Sequence, residues 1–294
     1  MAILFAALAC VLLPGGEVAG QDVEQDTIPI ASRILPELDS ASREAGDEGE
    51  EEPDDEIETD RDSFTPATTV VGYKRLVVES AWSYIDNRSV ADTNSLPELI
   101  CRYGVSDWLE LRVGFNYEVG GAPNSVSGDD GEDQPTNGRK IERDSQIFYG
   151  LKAAITSQRG WRPMSVLIVQ AGTPTSGSDT ATQMFATYAV GWTFANRWKW
   201  DTALRYGYDT FADEPVNVWA PSTVLKIPLG KRWAVHGEYF AILRNGSTVN
   251  DQHYFSPGVS YLLTSNLEIG TRFGWGLSQD APRFFMNTGF GWRY

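Results

Sequence analysis

Past Asn196 the chain sorts its side chains in twos. One phase carries Trp198, Trp200, Thr202, Leu204, Tyr206 and Tyr208; the other carries Lys199, Asp201, Ala203, Arg205, Gly207 and Asp209. The same division returns after Asp107, with Leu109, Leu111, Val113, Phe115 and Tyr117 against Glu110, Arg112, Gly114, Asn116 and Glu118. It returns again after Asn266, with Leu267, Ile269, Thr271, Phe273 and Trp275 against Glu268, Gly270, Arg272 and Gly274. A period of two belongs to a β-strand, whose successive side chains point to opposite faces. Holding it for about ten residues gives the length a tilted strand needs to cross a bilayer.

The pattern is repetitive. "RYGVSDWLELRVGF", "GWTFANRWKWDTALRY", "LKIPLGKRWAVHGEYF" and "SYLLTSNLEIGTRFGW" each place an alternating run, a tight polar turn and a second alternating run opened by Trp108, Trp198, Trp233 or Leu267. A looser copy, "AITSQRGWRPMSVLIV", turns at Trp161. Such hairpin repeats define the architecture. Counting them predicts twelve strands near 76–85, 96–105, 108–118, 144–156, 162–172, 181–194, 198–209, 216–227, 233–243, 252–263, 267–276 and 283–294. Short turns follow Val105, Thr156, Phe194, Pro228 and Leu263, while longer loops fill 86–95, 119–143, 173–180, 210–215, 244–251 and 277–282. An even strand number with short turns on one side and long loops on the other is the layout of a transmembrane β-barrel.

Alternation alone fits a soluble sandwich or barrel equally well, with the apolar face turned inward. Three features favour the inverted arrangement. Trp108, Trp161, Trp192, Phe194, Trp198 and Trp233 flank the short turns, and Tyr84, Tyr117, Tyr206, Tyr208 and Trp275 lie near the loops. Two aromatic belts match two membrane interfaces. The polar face mixes Gly with ions of both signs, as a crowded wet lumen would. Closure removes the free edges that lipid does not tolerate. The fold expected is therefore an all-β, closed antiparallel transmembrane barrel over residues 63–294.

The segment before it differs. Residues 37–62 hold 14 acidic and 2 basic residues, against 22 and 21 from Ser63 onward, so the formal charge of −16 is local. Residues 21–62, with "EAGDEGEEEPDDEIETD", read as a disordered acidic periplasmic segment that cannot bury enough apolar surface to order itself. Residues 1–20 read as a signal peptide: an apolar run, then Pro14, Gly15 and Gly16, then the small residues around Ala19. No Lys or Arg precedes that run. After cleavage Cys101 alone would remain, which leaves no intramolecular disulfide. No basic stripe supports a nucleic-acid partner.

Two stretches resemble known families. "NTGFGWRY" places Asn287, Gly289, Trp292 and Tyr294 in the pattern of the C-terminal signal of bacterial outer-membrane proteins. That resemblance implies export through the periplasm of a Gram-negative-type bacterium, recognition by the barrel-assembly machinery, and closure of the barrel by the last strand. "ETDRDSFTPATTVVGYKRLVVESAWSYI" carries Thr59, Asp60, Arg61, Phe64, Thr65, Val71, Gly72, Glu79, Ser80 and Tyr84. It resembles the opening of an outer-membrane transporter family commonly labelled a meta-pathway phenol-degradation domain. Asp62 stands where that family often has Pro. The resemblance implies an outer-membrane location and a barrel, and its label implies aromatic solutes.

The inward phase supplies the candidate lumen residues: Glu110, Arg112, Lys199, Asp201, Arg205, Glu238, Glu268, Arg272, Arg283 and Arg293, with Glu79, Glu98, Arg102, Lys152, Lys226 and His236 beside them. They could line a path for small polar solutes, with the arginines favouring anions, or form an ion-pair ladder filling a narrow interior. Phe148, Phe240 and Phe285 fall on the same phase and could obstruct the bore. No catalytic set, cofactor or metal is expected. His236 and His253 lack a His-x-Ser arrangement, and no zinc cluster, phosphate loop or nucleophile elbow is present. The acidic residues 129–133 of the longest loop could hold Ca²⁺ or lipopolysaccharide counter-ions, or simply stay solvated. Two functions follow: passive passage of small solutes, or a non-conducting barrel serving as a platform through its acidic arm or long loop.

Overall fold

A computed structural model describes residues 56–127, 141–177, 181–211, 214–245 and 251–294. Residues 1–55, with the expected signal peptide and most of the acidic segment, lie outside the described residues, as does the acidic cluster 129–133. Among the described residues twelve strands form: β1 (Leu76–Asp86), β2 (Thr93–Ser106), β3 (Leu109–Gly120), β4 (Glu142–Thr156), β5 (Met164–Ser176), β6 (Gln183–Thr193), β7 (Lys199–Phe211), β8 (Glu214–Leu229), β9 (Trp233–Asn245), β10 (Gln252–Thr264), β11 (Leu267–Gly276) and β12 (Phe284–Arg293). Each pairs antiparallel with its neighbours in the chain, and β12 closes on β1. The closing register runs from Val77 opposite Arg293 to Asp86 opposite Phe284. Several strands run past their expected ends, notably β2 at its start and β8 at both ends. Pairing continues beyond the height that lipid demands.

The barrel is inverted relative to a soluble protein. Leu111 and Ile269 are each 43% exposed on the outer wall, whereas Arg112 is 1% exposed inside. Arg102, Arg112 and Arg272 are among the most fully enclosed side chains of the chain. Arg205, one residue from the outward Leu204, is buried as well. The outer face is thus greasy and the ions look inward, as the alternation requires.

Glycine makes room for the interior rings. Phe148 lies directly opposite Gly114, and Phe285 opposite Gly274. A methyl group on either glycine would collide with the facing ring. Each ring packs against the bare glycine of the neighbouring strand, which lets large side chains fill a narrow bore.

The outer face carries a direct test. Val169 sits near the middle of β5 and is 42% exposed. Val169→Arg is expected to cost about 2–4 kcal/mol in urea unfolding from phospholipid vesicles, the penalty of a cation at the bilayer midplane. A change within about 0.5 kcal/mol, normal for an exposed site in water, would contradict the lipid-facing assignment.

Candidate functional site

The bore of the barrel is occupied by the chain itself. Residues 56–75 enter beside the β10–β11 turn, where Ile57 N–H donates to Ser265 O at 2.8 Å. They rise to Phe64 and return, and Lys74 N–H donates to Gly104 O at 2.8 Å just before β1 begins. The boundary expected after residue 62 therefore does not hold: residues 57–62 are packed inside the barrel, with Glu56 at its mouth. Composition misleads here because the acidic groups are neutralised by the wall rather than by water.

Asp60 lies at the centre of the knot. Its carboxylate meets Arg112 Nη1, Lys152 Nζ at 3.0 Å and Arg102 Nε at 3.6 Å. Burial disfavours its charged form, but Arg102, Lys152 and Arg112 outweigh that and hold the carboxyl far below the ordinary carboxylate range. Glu79 Oε2 accepts the backbone N–H groups of Asp60 at 3.0 Å and Arg61 at 3.1 Å. Arg102 joins Glu79 at 2.8 Å to Glu110 at 3.0 Å, and Glu110 also accepts Val71 N–H at 2.9 Å. Arg61 reaches the other way, to Glu98 Oε2 at 2.6 Å and Glu98 O at 2.7 Å.

On the turn side of this knot, Glu56 pairs with Arg197 at 2.7 Å, Glu58 with Lys199 at 3.2 Å and Asp62 with Lys226 at 2.9 Å. Burial opposes the charge on Glu58, yet Lys199 and Lys226 hold its pKa down to about 2. A cavity of about 460 Å³ opens there, lined by Glu58, Asp62, Lys226, His236, Glu268 and Arg293 among others.

Toward the loops the plug ends in an aromatic layer. Phe64 stacks on Phe240 with ring centroids 4.2 Å apart, and the Arg205 guanidinium lies 4.4 Å over its other side. Phe240 stacks in turn on Tyr254 at 4.5 Å, and Phe285 meets both edge-on. Glu238 anchors the tip, accepting Phe64 N–H at 2.9 Å, Thr65 N–H at 2.7 Å and the Thr65 hydroxyl at 2.8 Å. Residues 121–127, the first part of the β3–β4 loop, fold inward over this layer and place Val126 in its apolar cluster. Asn124 Nδ2 donates to Glu98 Oε1 at 2.7 Å, and the Val126 carbonyl accepts from Arg272, which also pairs with Glu238 at 3.2 Å. Glu98 and the Glu238–Arg272 pair thus grip the plug and the outer loop together.

Of the residues singled out in the sequence, Glu110, Arg112, Asp201, Arg205, Glu238 and Arg272 are buried on the inner wall and engage the plug or the layer above it. Lys199, Glu268 and Arg293 face the turn-side cavity, with Thr59 donating to Glu268 at 2.9 Å and Arg293 to Asn266 at 2.8 Å. Arg283, expected on the inner wall, sits instead at the loop-side rim one residue before β12. Its side chain is 63% exposed and 3.4 Å from Asp86. Asn287 is buried and donates to Ser83 at 2.8 Å and Glu98 at 3.1 Å. Gly289 packs against Ala81, and the Trp292 and Tyr294 rings meet at a tilt, centroids 4.0 Å apart, on the outside. Among the described residues no group of three or more His, Cys, Asp or Glu could hold a metal ion. The residues missed by strand periodicity are those of the plug, above all Asp60, Arg61, Phe64 and Thr65. Two signals pointed to them: the resemblance of their stretch to a family opening, and an inner wall that carries more cations than carboxylates.

Residues 59–294 match a known sequence family, so the match takes in the plug as well as the strands. The chain belongs to the family described as "Putative MetA-pathway of phenol degradation". As a phenol-degradation family member it has a barrel similar to that of an outer-membrane channel from Pseudomonas putida F1. The two share 14% sequence identity and a TM-score of 0.52, over 81% of this chain and 100% of that one. A NanC porin structure aligns at 9% identity and a TM-score of 0.49, over 74% of this chain and 98% of that one. These likenesses concern the fold. No curated protein matches the chain.

Proposed function

We propose that this barrel lies in the outer membrane of a Gram-negative-type bacterium, short turns to the periplasm, and passes small aromatic anions when its plug leaves the bore. The observation that carries the reading is the seat of Phe64. Its ring occupies a slot between the face of Phe240 and the guanidinium of Arg205. With the plug displaced, that slot presents one aromatic face and one cation at ring-stacking distance. A flat ring bearing a carboxylate satisfies both partners, through stacking on Phe240 and charge on Arg205. The polar hold of the plug suits a removable element, because its buried hydrogen bonds and ion pairs can be exchanged for water.

Catalysis forms no part of this reading. His253 bonds Tyr239 at 2.7 Å, whereas Ser256, three residues on, is buried within the barrel. Neither matches a nucleophile with its base. Asn287, Gly289, Trp292 and Tyr294 are proposed to be read by the barrel-assembly machinery before the β1–β12 seam closes.

Proteoliposome flux tests the reading. The full chain is expected to pass benzoate faster than glucose, with saturation, and Arg205→Ala is expected to reduce benzoate flux about tenfold while leaving the barrel folded. Equal, non-saturating flux of both solutes would remove the aromatic-anion assignment. No flux of either, from the full chain or from a chain lacking residues 56–70, would favour the sealed platform, a reading supported by the plug and aromatic layer that fill the bore.

A further inference from the structure

The β4–β5 turn, residues 157–163, differs from the other short turns. Arg159 and Arg162 bond each other through both backbone N–H···O pairs at 3.1 Å, closing a two-residue hairpin over Gly160 and Trp161. Gly160 takes a φ of +58°, the left-handed conformation such a tight turn needs. Trp161 stands at its tip, 87% exposed.

Residues paired directly across an antiparallel bridge project their side chains from the same face, with Cβ atoms about 4.5–5.5 Å apart. Two guanidinium stems therefore leave this small hairpin side by side, an arrangement that like charge disfavours. Among the described residues neither has a carboxylate within ion-pair distance.

The hairpin is also held in place. Gln158 Nε2 donates to Thr193 O at 2.9 Å, and Thr193 N–H donates to Gln158 Oε1 at 2.7 Å. Trp192 Nε1 donates to Trp161 O at 3.0 Å. Trp192 belongs to the lipid-facing phase of β6 and stacks on outward Trp200 at 5.3 Å. The hairpin thus leans on the aromatic belt of the outer wall, at the height where headgroups meet hydrocarbon.

From this geometry we infer that Arg159, Trp161 and Arg162 form a clamp for the phosphate of an anionic phospholipid in the leaflet on the turn side. The two guanidinium forks match phosphate oxygens and relieve their mutual repulsion on binding. The indole enters the interfacial layer beside the headgroup. A soluble phosphate would use the arginines but not Trp161 or the tie to the belt, so the lipid is the occupant that accounts for all three residues.

Native mass spectrometry of the full chain from detergent micelles, titrated with cardiolipin or phosphatidylethanolamine, tests the clamp. The wild-type chain is expected to retain cardiolipin over phosphatidylethanolamine, and Arg159→Gln/Arg162→Gln to weaken cardiolipin retention about tenfold or more, from the loss of two cations at an anionic surface. Trp161→Ala is expected to weaken it by a smaller factor. Lys231→Gln/Arg232→Gln removes the same charge from the β8–β9 turn and is expected to change retention less than twofold. Equal loss in both double variants would overturn the clamp in favour of diffuse rim charge. Displacement of cardiolipin by millimolar inorganic phosphate would overturn the lipid assignment. Unchanged retention in Arg159→Gln/Arg162→Gln, with heat-modifiable migration showing a folded barrel, would overturn the site itself.

Discussion

Asp60→Ala in the full chain is expected to raise single-channel conductance in planar bilayers several-fold while the barrel remains folded. Asp60 pairs with all three of Arg102, Arg112 and Lys152. Removing one partner from a buried charge cluster commonly costs about 3–5 kcal/mol, because the groups left behind are desolvated and unpaired. Here three cations would repel one another with Glu79 and Glu110 left to share among them. The cost falls on the docked plug and not on the strands, since undocking lets water solvate all three cations. The equilibrium therefore shifts toward an empty bore. Asp60→Asn keeps the volume and should move conductance in the same direction. Conductance equal to wild type in both variants would show that the bore is not held shut by this knot.

Glu98→Ala is expected to loosen the plug and the outer loop in one step. Glu98 accepts from Arg61 in the plug, Asn124 in the β3–β4 loop and Asn287 in β12. Hydrogen exchange is the measurement, following amides at 60–65 and at 124–127. Both sets should lose protection in Glu98→Ala. Asn124→Ala, a change within the loop that removes its bond to Glu98, should also speed exchange at 60–65, because Glu98 then holds Arg61 with one fewer constraint. Groups sharing one network show interaction energies of about 0.5–3 kcal/mol in double-mutant cycles, so Arg61→Ala and Asn124→Ala should not be additive. Strict additivity, with protection lost only beside each mutation, would mean that the two closures act independently.

The wall of the barrel was legible because each strand states its own orientation. Leu111 and Arg112 are neighbours in sequence, and burial separates them wholly, as the period of two requires. Phe148, Phe240 and Phe285 announced an obstructed bore by their phase alone. The plug was not legible in that way. Asp60, Arg61 and Phe64 have no periodicity, and they adjoin a run of acids whose composition indicates a solvated tail. Their partners lie far along the chain: Phe64 N–H meets Glu238, 174 residues away. Nothing local in "TDRDSFTPAT" encodes that encounter; its resemblance to a family opening and the cation excess of the inner wall marked it as more than a linker. Residues 121–127 failed for the same reason, since Asn124 and Val126 earn their buried positions from Glu98 and Arg272 on distant strands. Arg283 was misplaced by one residue at a strand end, where an inward phase no longer implies an inward side chain.

The wiring around Asp60 bears on how a closed cylinder comes to hold a chain segment at all. Its partners Glu79, Arg102, Arg112 and Lys152, and Glu110 that braces the two arginines, all belong to β1 through β4. The first four strands can therefore cradle the segment while the sheet is still open, and the remaining eight can curl around it until β12 meets β1. The occupant is wrapped during construction, and no step has to feed an acidic strand of polypeptide through a finished ring.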